Sequence, residues 1–319
     1  AAISGSVTMK EHNPAVPYTP EEFVREARQA EDAGAAVVHI HFRDPATGLP
    51  TTDPGIMADV VQGIRENTSL LLNLSTGVSL ESTLDERKRP VERHDPELAS
   101  LNPGTMNFCT VSYRDGRIIH DKTYHNPLQA TLEFGTLMHQ NGIKPELECF
   151  AISHVHNALF FYEHYDFLIP PLHFSFVYGV MGGVRFNPDV LNSYIHATPP
   201  GSTWQGIGVG PFCFPVAMTS AAFGGHIRVG LEDNVYADYV TKRLATGNGE
   251  LVDRAVQIAR LAGREVASPA EAREILSLPF SLRIKSLRSI IKKPRPRRKA
   301  NLVKALNIAR RRHLLRLFS

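Results

Sequence analysis

The sequence predicts a (β/α)8 TIM barrel with a basic C-terminal extension, and three observations support this. Eight short apolar runs alternate with helix-forming patterns over about 270 residues, which is the spacing of such a barrel. The composition of the 319 residues, 43% hydrophobic and 21% charged, is that of a globular protein with an ample core and excludes wholesale disorder. The basic residues are concentrated at the C-terminal end. A doubly wound open sheet is the alternative, but no convincing ligand-binding loop marks the switch point that it needs.

The strand predictions follow the apolar runs in chain order. The predicted strands are Ala1–Gly5, Val37–Arg43, Leu70–Ser75, Ala99–Asn102, Pro145–Phe150, Leu172–Tyr178, Thr203–Val209 and His226–Leu231.

Helix-start signals lie between these runs. Thr19 is a predicted N-cap, with Pro20 in the first helical position and Glu22 completing a capping box. The predicted helices are Thr19–Ala33, Pro54–Glu66, Pro90–Leu98, Leu128–Asn141, Val155–Tyr165, Pro188–Ile195, Pro215–Phe223 and Glu250–Ala262.

The charge divides the chain into two parts. The chain has 35 Lys and Arg residues against 32 Asp and Glu, a net charge of +3, yet residues 280–319 contain 14 of the basic residues and no acidic one. Residues 1–279 therefore carry a net charge of −11. We predict a catalytic domain over 1–279 and a basic, amphipathic or disordered tail over 280–319. Such a tail is able to contact nucleic acid or an anionic membrane; the alternatives are an unstructured appendage and a mistranslated gene end.

Neither a membrane span nor a disulfide framework is indicated. No apolar run reaches the roughly 18 residues of a spanning helix, and no secretory signal opens the sequence. The first residue is Ala, so we expect an initiator segment to be missing. Cys109, Cys149 and Cys213 are widely spaced, which fits a reducing compartment and predicts a cytoplasmic protein.

Polar residues recur on one face of five predicted strands. Side chains alternate across a strand, so His39, His41 and Arg43 share a face opposite Val38 and Ile40. A lone buried charge costs several kcal/mol unless it is paired or bound to a metal, and we therefore predict an active site inside the barrel. The other polar residues predicted to point inward are Asn73, Ser75, Glu146, Glu148, His173, Ser175, His226, Arg228 and Glu232.

His39 and His41 are candidate metal ligands because the one-residue spacing turns both imidazoles to the same side of a strand. Two histidines and one carboxylate with an open position form a catalytic zinc pattern, and Glu232 is the best third ligand. The alternative is a pair of hydrogen-bonded barrel histidines.

Arg228 and Asp233 flank the carboxylate of Glu232. Arg228 suits a substrate carboxylate, or a dyad with Asp233 in which Asp233 is a general base; a structural salt bridge is the alternative. Ser75 lies at the end of a predicted strand and Thr105 follows another, where their hydroxyls are placed to bind an oxyanion or carboxylate or to cap a helix.

Six motifs in a fixed order carry a resemblance to a known family. They are 39–45 (HIHFRDP), 73–77 (NLSTG), 101–108 (LNPGTMNF), 145–150 (PELECF), 224–234 (GGHIRVGLEDN) and 267–276 (ASPAEAREIL). With this order and spacing, about residues 1–279 resemble the β-keto acid cleavage enzymes. The resemblance implies a zinc-dependent TIM barrel, a homotetramer, that uses acetyl-CoA to convert a β-keto acid into acetoacetate and a new acyl-CoA.

The resemblance also implies roles for individual residues. Zinc held by His39, His41 and Glu232 polarises the keto oxygen as a Lewis acid, giving a zinc-bound enolate. The other implied roles are removal of the α-proton by Asp233 coupled to Arg228, binding of the substrate carboxylate and enolate by Ser75 and Thr105, substrate binding by Asn107, and a place in the site for Glu148. The enolate then attacks the acetyl thioester, and a retro-Claisen step releases acetoacetate.

Two departures from the family bear on the substrate. Val7 stands where members that act on a cationic 5-amino substrate have a glutamate, and Ala151 stands where relatives often carry an acidic residue. We therefore expect a neutral or differently charged acyl tail. A zinc-dependent aldolase or hydrolase on the same barrel remains the alternative enzyme, and a basic binding protein that uses residues 280–319 is the non-catalytic alternative.

Overall fold

Seven parallel strands form a curled sheet at the centre of the protein. The structure is a computed structural model that describes residues 1–112 and 115–278, and the predicted tail at 280–319 lies outside them. The strands of this sheet are β1 (Val37–Ile40), β2 (Leu71–Leu74), β3 (Leu98–Leu101), β6 (Lys144–Cys149), β7 (His173–Tyr178), β8 (Thr203–Gly208) and β9 (His226–Arg228). They pair in the order β1-β2-β3-β6-β7-β8-β9.

Residues 1–4 join the two edges of this sheet and close the barrel. On one side, the Ile3 N–H donates to the His39 carbonyl of β1 at 3.2 Å. On the other side, the Ala2 N–H donates to the Val229 carbonyl just after β9 at 2.8 Å. The segment therefore takes the place of an eighth parallel strand, and the predicted TIM barrel is confirmed.

Helices alternate with the strands around the outside of the barrel. The helices are α1 (Pro20–Asp32), α2 (Pro54–Asn67), α3 (Leu84–Arg93), α4 (Leu128–Asn141), α5 (Ile152–His164), α6 (Pro188–Ala197), α7 (Cys213–Ala222), α8 (Asn248–Leu261) and α9 (Pro269–Ile275). The predicted capping box of α1 is present: the Thr19 hydroxyl accepts from the Glu22 N–H, and the Glu22 carboxylate accepts from the Thr19 N–H. In the described part of the chain, no helix is long and apolar enough to cross a membrane.

The predicted helix at Pro90–Leu98 is wrong in both of its bounds. A capping box between Thr83 and Glu86 starts α3 at Leu84, six residues earlier, and Pro90 lies inside that helix. Proline at the first helical position was the misleading signal, because proline also occurs within a helix when packing outweighs one lost hydrogen bond. Leu98, taken as the end of the helix, is the first residue of β3.

An antiparallel hairpin that the sequence did not predict follows β3. Its strands are β4 (Met106–Val111) and β5 (Ile118–Tyr124), and Met106 pairs with Tyr124 at its base. Five of the seven residues of β5 are exposed, so β5 lacks the apolar alternation of a half-buried strand. A smaller hairpin, β10 (Tyr236–Asp238) with β11 (Arg243–Leu244), lies after β9.

The outer faces of the strands pack beneath the helices, as predicted from the alternation. Val38 and Ile40 of β1 belong to a buried cluster with Phe23 of α1 and Met57 of α2. The polar faces of the strands therefore point into the barrel. The outer face of each strand contributes to the hydrophobic core, and the inner face contributes to the candidate site.

Candidate active site

The lower layer of the barrel interior is a hydrogen-bond network around Glu146. Glu146 is fully buried, and its carboxylate accepts from the Ser175 hydroxyl at 2.5 Å, from the Gln205 amide at 2.6 Å and from the Asn73 amide. Four inward-facing polar residues are thus joined through the Glu146 carboxylate, while Asn73 Oδ1 has no partner among the described residues. This layer is structural, and it supports the layer above it.

His39, His41 and Glu232 meet in the upper layer. One ligand atom of each lies within 4.8 Å of the other two; the Nε2 atoms of His39 and His41 are each 3.6 Å from a carboxylate oxygen of Glu232. Buried His39 Nε2 and Glu232 Oε2 have no hydrogen-bond partner among the described residues. Buried polar atoms are rarely left without a partner, so the set fits a metal ion.

The protonation of these groups suits metal binding. Burial lowers the pKa of His39 well below its usual value, against the opposing charge of Glu232, and keeps the imidazole neutral. Burial opposes ionisation of Glu232, but the guanidinium of Arg228 outweighs it and lowers the pKa of that carboxyl. Neutral imidazoles and an ionised carboxylate are the forms that bind metal.

Arg228 lies at the centre of three carboxylates. It donates to Asp233 at 2.9 and 3.1 Å, to Glu232 at 2.5 Å and to Glu148 at 3.3 Å. Burial raises the pKa of Glu148 to about 8 and favours its protonated form, so the guanidinium faces two ionised carboxylates, Glu232 and Asp233, and one negative charge is in excess. A divalent cation beside His39 neutralises that excess, which is a second reason for the set to fit a metal.

The two other carboxyls have raised pKa values. Burial raises the pKa of Glu148 to about 8, with a further contribution from the charge of Glu146. Burial also raises the pKa of Asp233 to about 6, although Arg228 opposes the shift. A carboxyl that titrates near neutral pH suits proton transfer.

A cavity of about 540 Å³ opens above these groups, at the C-terminal ends of the strands. The ionisable residues of its wall include His41, Glu148, Arg228, Glu232 and Asp233. Ser75 also lines the cavity. Most of the remaining wall is apolar and comprises Val7, Leu80, Phe108, Val111, Phe150, Val177, Val180, Met181, Ile207, Val209 and Val235. A smaller cavity of about 210 Å³ lies at the opposite ends of the strands, against α8 and α9.

The predicted substrate-binding residues lie in different places. Ser75 is buried in the wall of the large cavity, where its hydroxyl accepts from the Gly77 N–H at 3.1 Å. Thr105 is exposed, its hydroxyl accepts from the Asn126 N–H at 2.8 Å, and neither Thr105 nor exposed Asn107 belongs to the cavity wall. The structure therefore brings Ser75, but not Thr105 or Asn107, to the charged cluster.

Two residues of the site were not predicted from the sequence. The Asn102 side-chain amide donates to Glu148 at 3.1 Å, and the Tyr124 hydroxyl donates to the Asn102 side-chain oxygen Oδ1 at 2.8 Å. Tyr124 reaches the site from the hairpin, which the sequence did not predict. Arg43 was expected on the inner face with the histidines. It is fully buried and donates to the carbonyls of Gly5 and Thr8, so it holds the loop that follows residues 1–4.

A closed parallel barrel with a two-histidine, one-carboxylate cluster beneath a cavity at the C-terminal ends of its strands is the arrangement of a barrel enzyme, and the cluster is a candidate metal site. A sequence profile of the family described as beta-keto acid cleavage enzyme matches residues 1–278. The chain belongs to that family, and the resemblance is confirmed.

Individual relatives span nearly the whole domain. The 3-keto-5-aminohexanoate cleavage enzyme of Fusobacterium nucleatum is 42% identical over 279 residues, which cover 87% of this chain and 96% of the relative. The 3-oxoadipate:acetyl-CoA acetyltransferase of Cupriavidus necator is 35% identical over 282 residues, covering 87% and 93%. Relatives with these names act on different β-keto acids, so membership of the family does not by itself fix the substrate.

The fold also matches a solved structure. The apo structure of ObcA superposes with a TM-score of 0.68 at 22% identity, over 83% of this chain and 66% of that one. At this identity the likeness concerns the fold, and it agrees with the barrel described above.

Proposed function

We propose that this enzyme condenses a β-keto acid with acetyl-CoA and cleaves the product to acetoacetate and a new acyl-CoA, with zinc as its metal. The observation that carries the proposal is the buried cluster of His39, His41 and Glu232, with unpartnered ligand atoms and excess negative charge, at the wall of a cavity. The printed names of relatives such as the Cupriavidus necator transferase support acetyl-CoA as co-substrate.

His39, His41 and Glu232 would hold the zinc ion. When bound, zinc would supply a Lewis acid that polarises the keto group of the substrate. The chain supplies the rest: Ser75 and Arg228 bind the substrate carboxylate, and the two-bond contact with Arg228 fixes the Asp233 carboxylate against the cavity.

The reaction balances with acetyl-CoA as the only co-reactant. Asp233 accepts a proton from the carbon between the keto and carboxylate groups, and that carbon attacks the acetyl carbonyl and expels CoA thiolate. The thiolate then attacks the original keto carbon of the β-keto acid. The bond between this carbon and the newly acetylated carbon breaks. The proton returns from Asp233 to the departing carbon, which gives acetoacetate, while the acyl group leaves on CoA.

The substrate tail is uncharged in this proposal. Val7 lies in the cavity wall and is half-exposed to it, and among the described lining residues the strongly charged side chains belong to the cluster around Arg228. An ammonium group on the tail would lose hydration without gaining a counter-ion from this apolar wall. We also retain the predictions of a cytoplasmic homotetramer; the three cysteines are free thiols.

The test is a mass-spectrometric assay of the full chain with acetyl-CoA and a panel of β-keto acids, before and after zinc chelation. We expect acetoacetate and a new acyl-CoA in equal amounts, loss of both after chelation and their return when zinc is added back. Consumption of the β-keto acid without acetyl-CoA would instead support a zinc-dependent aldolase or hydrolase.

Thr105 and Asn107 remain predicted substrate contacts and need a separate test. If they bind substrate, Thr105→Ala and Asn107→Ala each raise the KM for the β-keto acid about tenfold, which corresponds to one lost hydrogen bond of about 1.4 kcal/mol. Thr123→Ala, on the facing strand of the same hairpin, is the matched control. An unchanged KM removes both residues from the site.

A further inference from the structure

We propose that Arg87 is a positioning residue that sets the orientation of the Glu148 carboxylate through Tyr124 and Asn102. The proposal rests on the proposed function, because it assigns a role in that reaction to a buried network outside the metal cluster.

Arg87 is a buried cation without an ion pair. It belongs to α3, its side chain is almost fully buried, and no carboxylate of the described residues lies within salt-bridge distance of it. Its guanidinium instead donates to neutral oxygens: the Thr76 carbonyl at 2.8 Å, the His125 carbonyl at 2.9 Å and the Asn126 side chain at 2.6 Å. Burying an unpaired guanidinium costs desolvation free energy. Its five donors in a rigid fork fix several acceptors at once, so we infer that the side chain orients the groups around it.

One of those acceptors leads to the site. The Arg87 guanidinium donates to the Tyr124 hydroxyl at 3.3 Å and lies 5.0 Å from the centre of its ring. Because the hydroxyl accepts from Arg87, its own proton is directed to the Asn102 side-chain oxygen Oδ1 at 2.8 Å. The Asn102 amide is thereby turned so that its NH2 group faces Glu148 at 3.1 Å.

The far end of this chain is the carboxylate that meets Arg228. Glu148 accepts a hydrogen bond from the Asn102 amide on Oε2 and another from Arg228 on Oε1. These two donors fix the plane of the Glu148 side-chain carboxyl group. Without the Tyr124 hydroxyl, the Asn102 side chain is free to exchange its oxygen and nitrogen positions. Its oxygen would then face the oxygen of Glu148, and the carboxylate would turn away from Arg228.

A second branch joins the same guanidinium to the neighbouring loops. The Asn126 N–H donates to the Thr105 hydroxyl, and the Thr76 carbonyl follows Ser75 directly. Arg87 therefore connects the loop after β2, the loop after β3 and the base of the hairpin.

The test is a double-mutant cycle on the zinc-loaded full chain. Removing a buried guanidinium endangers folding, so Tyr124→Phe, which deletes one hydroxyl, carries the test, and Arg87→Lys is measured beside it. We expect Tyr124→Phe to lower kcat about tenfold with little change in the KM for acetyl-CoA. In the background of Glu148→Gln we expect the same substitution to have almost no further effect on kcat, because the carboxylate that it orients is already absent.

Tyr194→Phe is the matched control, since it removes a buried hydroxyl that has no partner among the described residues; it should leave kcat unchanged. Equal fold-losses from Tyr124→Phe in the wild-type and Glu148→Gln backgrounds overturn the inference and leave the proposed function standing. If the wild type forms no acyl-CoA, the proposed function fails and the inference falls with it.

Discussion

The guanidinium of Arg228 and the carboxylate of Asp233 are joined by two hydrogen bonds, Nε to Oδ2 at 2.9 Å and Nη2 to Oδ1 at 3.1 Å. The pair is almost fully buried and lies beside the metal-ligand candidate Glu232. A fork of this kind fixes both the position and the plane of the carboxylate. Asp233 is thus held as a fixed group at the cavity wall, as a general base requires.

Asp233→Asn should lower kcat by about 10²- to 10⁴-fold, the range of general acid–base catalysis. The amide keeps the shape of the side chain but cannot accept the substrate proton. Zinc content, measured by mass spectrometry of the metal, should remain at the wild-type level. Asp253→Asn on the exposed face of α8 is the control. Retention of activity within a few-fold of wild type would assign the base to another residue.

His41→Ala should abolish both zinc binding and turnover. Two ligands in place of three weaken a zinc site severely, because each ligand contributes a bond that water replaces poorly. The check is zinc content after dialysis, together with acyl-CoA formation. His156→Ala, at an exposed position of α5, should affect neither quantity. A fully zinc-loaded His41→Ala protein would contradict the proposed ligand set.

Glu148→Gln should flatten the pH dependence of stability in the zinc-free protein. The pKa of Glu148 is raised from its ordinary value to about 8, chiefly by burial. Between the unfolded pKa of about 4.5 and the folded pKa of about 8 the folded state binds the additional proton, so the free energy of unfolding falls as pH rises across this range. The glutamine cannot ionise, and this part of the loss should disappear.

Urea unfolding of both proteins at pH 5, 6, 7 and 8 measures that difference. Asp233, whose pKa is raised to about 6, contributes a loss of the same sign to both proteins, so the comparison isolates Glu148. Parallel curves for the two proteins would show that Glu148 is ionised throughout this range.

Val7→Glu should shift the substrate preference toward cationic tails. Val7 is 52% exposed and lies in the cavity wall, so a carboxylate is accommodated there without disturbing the core. We expect the wild type to prefer a neutral-tailed β-keto acid over its 5-amino analogue in kcat/KM, and the variant to narrow that ratio at least tenfold. Val7→Gln, with the same size and no charge, is the matched control. A wild-type preference for the 5-amino substrate would refute the neutral tail.

Much of the site was accessible from the sequence because a strand converts spacing into direction. The alternation in residues 37–43 sufficed to turn His39 and His41 inward together, and the same rule separated Glu146 and Glu148 from Leu147. Thr19 and Glu22 likewise marked the start of α1, since a capping box is a local interaction between residues three apart. The same alternation in residues 226–232 gave Glu232 as the candidate third ligand, and the family motifs agreed with it.

Other features depended on contacts between distant parts of the chain. The sequence misplaced α3 because two competing local signals, the capping box at Thr83 and the proline at residue 90, can be ranked only by packing. Alternation could not separate structural Glu146 from Glu148, because both face inward and only their partners on other strands distinguish them. No motif or periodicity in the sequence indicated a role for Tyr124 or Arg87 in the site.

The sequence by itself determined the barrel, the inward-facing residues and the composition of the metal-ligand candidates. The tertiary structure alone decided the layering of the interior, the pairing of Arg228 with three carboxylates and the connection from Arg87 to Glu148. The physical reason is range: strand alternation and helix caps act within a few residues, whereas a buried charge takes its role from whichever partners the completed fold brings to it.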